Sequence, residues 1–159
     1  MLKLGYKYDS SVTASFIPGY YGVPGAPNKP YMLSTDSISR PGSSGLMEIP
    51  VTVNPLFPLP LSAAWMRNLG LGFVKLGIRS SFRLGNPVTF YIHPRDVSNL
   101  PKTPGVPWHL YRNIGKKCEK LIDELLIYIK KRDAKVLSVI EYLKTEEQKG
   151  EIESQINNI

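Results

Sequence analysis

Two histidines and a few carboxylates carry most of the acid–base chemistry open to this sequence. His93 closes the apolar run Val88-Thr89-Phe90-Tyr91-Ile92 and opens His93-Pro94-Arg95-Asp96. A histidine at the mouth of a buried strand can titrate near neutral pH and act as acid, base or metal ligand. It can also be a loop residue satisfied by backbone groups. Asp9, in Asp9-Ser10-Ser11, can raise the basicity of an imidazole or cap a turn with the two serines. Glu48, near Pro50, reads either as a solvated edge residue or as a buried functional carboxylate. His109 follows Trp108 in a proline-rich loop, and no metal-ligand spacing links it to His93, which makes it structural or substrate-contacting. Cys118 lies on an apolar helix face with no His or Asp nearby in sequence, which favours packing over nucleophilic catalysis.

The elements that must position these residues follow from periodicity and punctuation. Met1 to Leu4 reads as the last turn of a helix, Gly5 as its cap and Tyr6-Lys7-Tyr8 as a short strand, as though the chain began inside a βα unit. Residues 15–45 are dense in Pro, Gly, Ser and Asn and read as one long loop, a length usually reserved for lids and binding loops. A strand is expected over 46–53. Ser62 caps a helix reaching about Arg79, with Trp65, Leu69, Phe73 and Leu76 on one stripe, weakened by Gly70, Gly72 and Gly77. Residues 88–92 form the clearest strand, stopped by His93-Pro94.

Asn113 caps the strongest predicted helix, with Ile114, Cys118, Leu121, Ile122, Leu125 and Ile129 on its apolar face. A short strand over 135–138 and a helix over 139–148 complete the expected order. That alternation argues for parallel βα units, in which catalytic side chains gather after the strand ends. The Asp9-Ser10-Ser11 group, the residues after Val53 and the His93-Pro94-Arg95-Asp96 group meet that condition.

Composition sets bounds. At 159 residues the chain suits one domain over 1–147 with a polar tail over 148–159. A single cysteine excludes an internal disulfide framework and a cysteine-based zinc cluster. No apolar run is long enough for a spanning helix, because Arg67 and Lys75 interrupt the best candidate, and nothing resembles a signal peptide. The chain therefore reads as soluble and cytoplasmic as written, with its compartment not fixed. The net charge of +7 is spread along the chain, and the clusters at 116–117 and 130–132 sit among acids, which fits solvated helix faces better than a nucleic-acid surface. No Gly-rich phosphate loop, His-x-x-x-His pair or Asp-x-Asp cluster occurs, so a hydrolytic metal site would need ligands from elsewhere.

Several segments together resemble the polysaccharide deacetylase family with the nodulation-type chitooligosaccharide deacetylase fold. They are Gly5-Tyr6-Lys7-Tyr8-Asp9-Ser10-Ser11-Val12, Tyr21-Gly22-Val23-Pro24-Gly25-Ala26-Pro27 with Pro30-Tyr31, Glu48-Ile49-Pro50-Val51, the run from Val88 to Pro94, and Tyr111-Arg112-Asn113. The resemblance implies an α/β fold, the C-terminal part of a (β/α) barrel whose N-terminal strands and helices are missing. It implies hydrolysis of N-acetyl groups on sugars with a divalent metal such as zinc, held by an Asp and two His from early strands that this chain lacks. His93 matches the late histidine that protonates the leaving amine, and Asp9 the carboxylate that tunes it. Ser10, Ser11, Tyr21, Glu48, Arg95 and Asp96 become candidate sugar contacts. The family branch has Trp where Arg95 stands and often His-Asp where Pro18-Gly19 stands. The resemblance therefore implies a chain that binds no metal by itself and is inactive alone. Its implied partners are a polysaccharide and either a separately encoded N-terminal half or another copy of itself. The alternative is a non-catalytic carbohydrate-binding or partner-binding remnant.

Overall fold

The computed structural model describes residues 1–15, 17 and 22–156. Two compact units divide the chain, Met1–Leu126 and Ile127–Ile159. The first holds a small mixed sheet of β1 (Tyr8–Asp9), β2 (Tyr31–Met32) and β3 (Met47–Glu48), with β3 in the middle. Helices α1 (Ala63–Leu69), α2 (Leu71–Arg83) and the short α3 (Pro94–Val97) follow. Helix α4 (Lys116–Lys130) contains the boundary between the units, and α5 (Val139–Ile156) belongs to the second.

β1 pairs parallel with β3, as the expected βα order requires, whereas β2 pairs antiparallel. That antiparallel strand lies inside the segment read as one long loop. Its backbone folds back through a bridge between Leu33 and Pro41, and Tyr31, Leu33 and Leu46 bury together beside it. The burial of these three side chains is what makes an ordered excursion out of a Pro/Gly-rich stretch.

Beyond β1 the parallel register slips by one residue, from Asp9↔Glu48 to Thr13↔Val51. The extra residue makes a bulge, which leaves a backbone amide without a ladder partner. The Glu48 carboxylate takes it: Val12 N–H donates to Glu48 Oε1 at 2.9 Å. Ser10 Oγ donates to the Ile49 carbonyl at 2.6 Å on the same stretch.

Residues 88–92, expected as the clearest strand, are extended but form no ladder. Their backbone bonds are divided. Thr52 N–H donates to Thr89 O at 3.2 Å, and Ala63 N–H donates to Tyr91 O at 3.0 Å beside an isolated Ser62↔Tyr91 bridge. No strand forms over 135–138, where Val136 is 76% exposed. Instead Ser138 and Glu141 build a capping box, with Ser138 N–H donating to Glu141 Oε2 at 2.8 Å, and α5 continues to Ile156 past its expected end at 148.

Ser62 caps α1 as expected, its hydroxyl accepting from Trp65 N–H at 3.4 Å. The helix then breaks at Gly70 (φ 89°, ψ 166°), a conformation that only glycine adopts without strain. The buried stripe is Ala63, Met66, Arg67, Leu71, Val74 and Ile78 instead of the expected Trp65, Leu69, Phe73 and Leu76, and its three- and four-residue spacing runs on across the break. Gly77 lets α2 approach Leu61, since an added Cβ would lie 2.6 Å from a Leu61 methyl. On α4 the predicted face holds, with Cys118 and Leu125 buried. Asn113 does not cap it. At φ 52° its side-chain amide donates to the Arg67 carbonyl at 2.9 Å, and Gly115 O accepts the first helical amides, Cys118 N–H at 2.8 Å and Glu119 N–H at 3.0 Å.

Candidate functional site

His93 stands where the extended 88–92 segment turns into α3, with Pro94 at the first helical position fixing the turn. Its ring is exposed and meets the Tyr91 ring edge-on, centroids 5.3 Å apart. The His93 amide donates to Asp96 Oδ2 at 2.8 Å, and Asp96 N–H returns a bond to His93 O at 2.9 Å. Third position in a helical turn aims the Asp96 side chain back at the residue that starts it. Arg95 faces solvent beside His93, while Asp96 is 1% exposed.

The charge of Asp96 is compensated inside the protein. Arg67, also 1% exposed, places Nη2 at 2.8 Å and Nε at 3.0 Å from Asp96 Oδ1. Its Nη1 reaches the other way, donating to the carbonyls of Leu110 and Arg112. One guanidinium from α1 thus ties together the His93 turn and the 110–112 loop. Asn68 supports the same loop, its amide donating to His109 O at 3.2 Å. Cys118 lies close enough to feel both charges: burial pushes its thiol pKa up, Asp96 adds to this and Arg67 opposes it. A buried, protonated thiol is a packing group, as its sequence position suggests.

A second cluster forms at the sheet. Asp9 and Tyr31 are the cross-strand neighbours of Glu48 on either side. Glu48 is fully buried, and among the described residues its Oε2 has no hydrogen-bond partner. Burial pushes its carboxyl above the usual carboxylate range, opposed by the Val12 N–H and reinforced by Asp9. Burial likewise raises the Tyr31 hydroxyl, with the Glu48 charge adding to it. Asp9 accepts from Ser11 Oγ at 2.9 Å, and among the described residues no hydrogen bond joins it to His93. Of the anticipated residues, then, Asp9, Ser10, Ser11 and Glu48 gather at the sheet. His93, Arg95 and Asp96 gather at α3, and Tyr21 lies outside the described residues.

Two features were not anticipated from the sequence. Arg67 was read only as an interruption of an apolar run, although a charge on an otherwise apolar helix face asks for a buried partner. The other is an open groove of about 620 Å³ in the loop from Lys102 to Arg112, with Trp108 69% exposed. His109, by contrast, contributes its carbonyl to Asn68 and packs edge-on against Trp108, a structural position.

Among the described residues no three His, Cys, Asp or Glu side chains come together as a metal-binding group. No helix among the described residues is long and apolar enough to cross a membrane.

The sequence profile described as "Domain of unknown function (DUF3473)" matches residues 10–135, a span that takes in the bulge, the Arg67–Asp96 pair, His93 and the groove. No curated protein and no solved structure matches.

Proposed function

The chain belongs to the DUF3473 family, and from that premise we propose that it is a carbohydrate-directed part of a polysaccharide deacetylase-type (β/α) barrel in which His93 supplies the proton for N-deacetylation. The observation that carries this reading is an exposed imidazole on a turn whose backbone is locked by a fully buried ion pair. Hydrolysis of an N-acetylated sugar breaks the bond between the acetyl carbon and nitrogen. The nitrogen departs readily only if it gains a proton as that bond breaks. An imidazolium at the position of His93 donates that proton, leaving the amine and acetate as products. Asp96 is a positioning residue: it fixes the turn through the His93 amide and does not face the substrate. Arg95 and the Ser10-Ser11 pair remain available to the sugar. The parallel β1–β3 pairing followed by helices supports the barrel-type architecture.

The described residues supply an acid but not the means of activating water. The test is acetate release from N-acetylated chitooligosaccharide with zinc present. This chain alone is compared with the chain co-expressed with a deacetylase half carrying an Asp motif and a His-x-x-x-His pair. The expected outcome is release only from the combination. Release by the isolated chain, or none from a combination that forms a stable complex, overturns the reading. A non-catalytic carbohydrate-binding role is favoured by one observation, the exposed Trp108 beside the groove, and predicts sugar binding without acetate release in the same assay.

A further inference from the structure

We propose that the groove over residues 102–112 is a subsite for an acidic glycan, a sugar chain bearing carboxylates. This deepens the carbohydrate reading above and rests on it. The lining residues include the cations Lys102 and Arg112, the rings of Trp108 and Tyr111, and no carboxylate. The volume, about 620 Å³, lies within the usual range of ligand clefts.

Each feature selects a part of the ligand. Trp108 offers an aromatic ring at 69% exposure, an amphipathic surface of the kind favoured where one side of a ligand is apolar and the other wet. The C–H face of a pyranose ring matches it in shape and polarity. The Arg112 guanidinium carbon lies over the Trp108 ring, 5.8 Å from its centre, so a positive charge stands directly beside any sugar held at that side chain. A guanidinium there can fork onto a carboxylate projecting from the stacked sugar. The Tyr111 hydroxyl accepts from Thr103 N–H at 2.9 Å, which closes the loop on itself and leaves its proton free to donate.

A neutral glycan would satisfy the ring and bring no counter-charge to Lys102 or Arg112. Single-stranded nucleic acid favours continuous basic grooves with several stacking rings in series, whereas here one ring is strongly exposed. Position also supports the assignment. Arg67 donates to the Leu110 and Arg112 carbonyls while holding Asp96, so the groove wall and the His93 turn hang on one side chain.

The experiment titrates the purified chain with three probes: an oligogalacturonate, a neutral chitooligosaccharide of equal length, and a single-stranded oligonucleotide. Binding is followed by isothermal titration calorimetry. The oligogalacturonate is expected to bind tightest, with affinity falling as salt rises. Trp108→Ala and Arg112→Gln should each weaken it about 10-fold or more. Both variants should fold, because Trp108 is exposed and Arg112 serves the fold through its carbonyl. Preference for the neutral sugar or the oligonucleotide overturns the proposal, and so does unchanged affinity in both variants. Oligogalacturonate carries no acetyl group. Its failure to bind, with acetate release intact in the combined system, sinks the subsite alone. Binding with no acetate release sinks the deacetylase reading alone.

Discussion

Arg67 and Asp96 form an ion pair with both members 1% exposed, a geometry in which removing one partner is far more costly than the pair is stabilising. Arg67→Met strands the Asp96 carboxylate and releases two loop carbonyls. It should destabilise the chain by about 3–5 kcal/mol in urea unfolding, and a loss under 1 kcal/mol would show that the pair is solvated. Glu48 makes a pH-dependent prediction. Its carboxyl is raised in the folded state by burial, so the folded chain holds that proton more tightly than the unfolded chain. The resulting stability is fully present below the ordinary carboxylate range and is lost as pH rises through the raised value. Glu48→Gln keeps an oxygen for the Val12 N–H and removes the charge. It should therefore be more stable than wild type near pH 8, with the gap closing as pH falls below about 4; a gap that widens on acidification contradicts the assignment. Sequence left Glu48 open between solvated and buried because alternation alone does not reveal a bulge, and the bulge amide is what draws this carboxylate inside. Asp96 was legible as the acid following His93, but its inward direction comes from its place in a helical turn.

At the scale of elements, the strongest periodic signals were legible: the α4 face with Cys118 and Leu125, the Ser62 cap and the parallel course of β1. The failures have specific causes. Residues 88–92 have strand composition, but their hydrogen bonds go singly to Thr52 and Ala63, so no ladder builds. Gly70 was recognised as a weak point yet not as a break, and the buried face was misplaced already in α1, where Arg67 goes inside because Asp96 awaits it there. Gly70→Ala forces a side chain into the glycine-only region and should cost about 1–3 kcal/mol, seen as a lower thermal midpoint. An unchanged midpoint would mean that α1 and α2 can join into one helix.

For the whole molecule, the net charge of +7 excluded little, because it does not show where the cations sit: Lys102 and Arg112 line a groove, while Lys116, Lys117, Lys120 and Lys130 lie on α4. Composition could not show this, since Arg67 sets the groove wall from residues distant in sequence. The same guanidinium links the loop proposed to hold the glycan to the turn proposed to perform the chemistry. The central claim, that His93 is the proton donor, is tested most directly by the rate of acetate release in the combined system with His93→Ala in this chain. The substitution leaves the His93 amide, and hence the bond to Asp96, in place. The predicted result is a rate about 100-fold lower, the usual scale for losing a general acid, with zinc content unchanged. Undiminished turnover, or loss of zinc along with activity, would contradict the account.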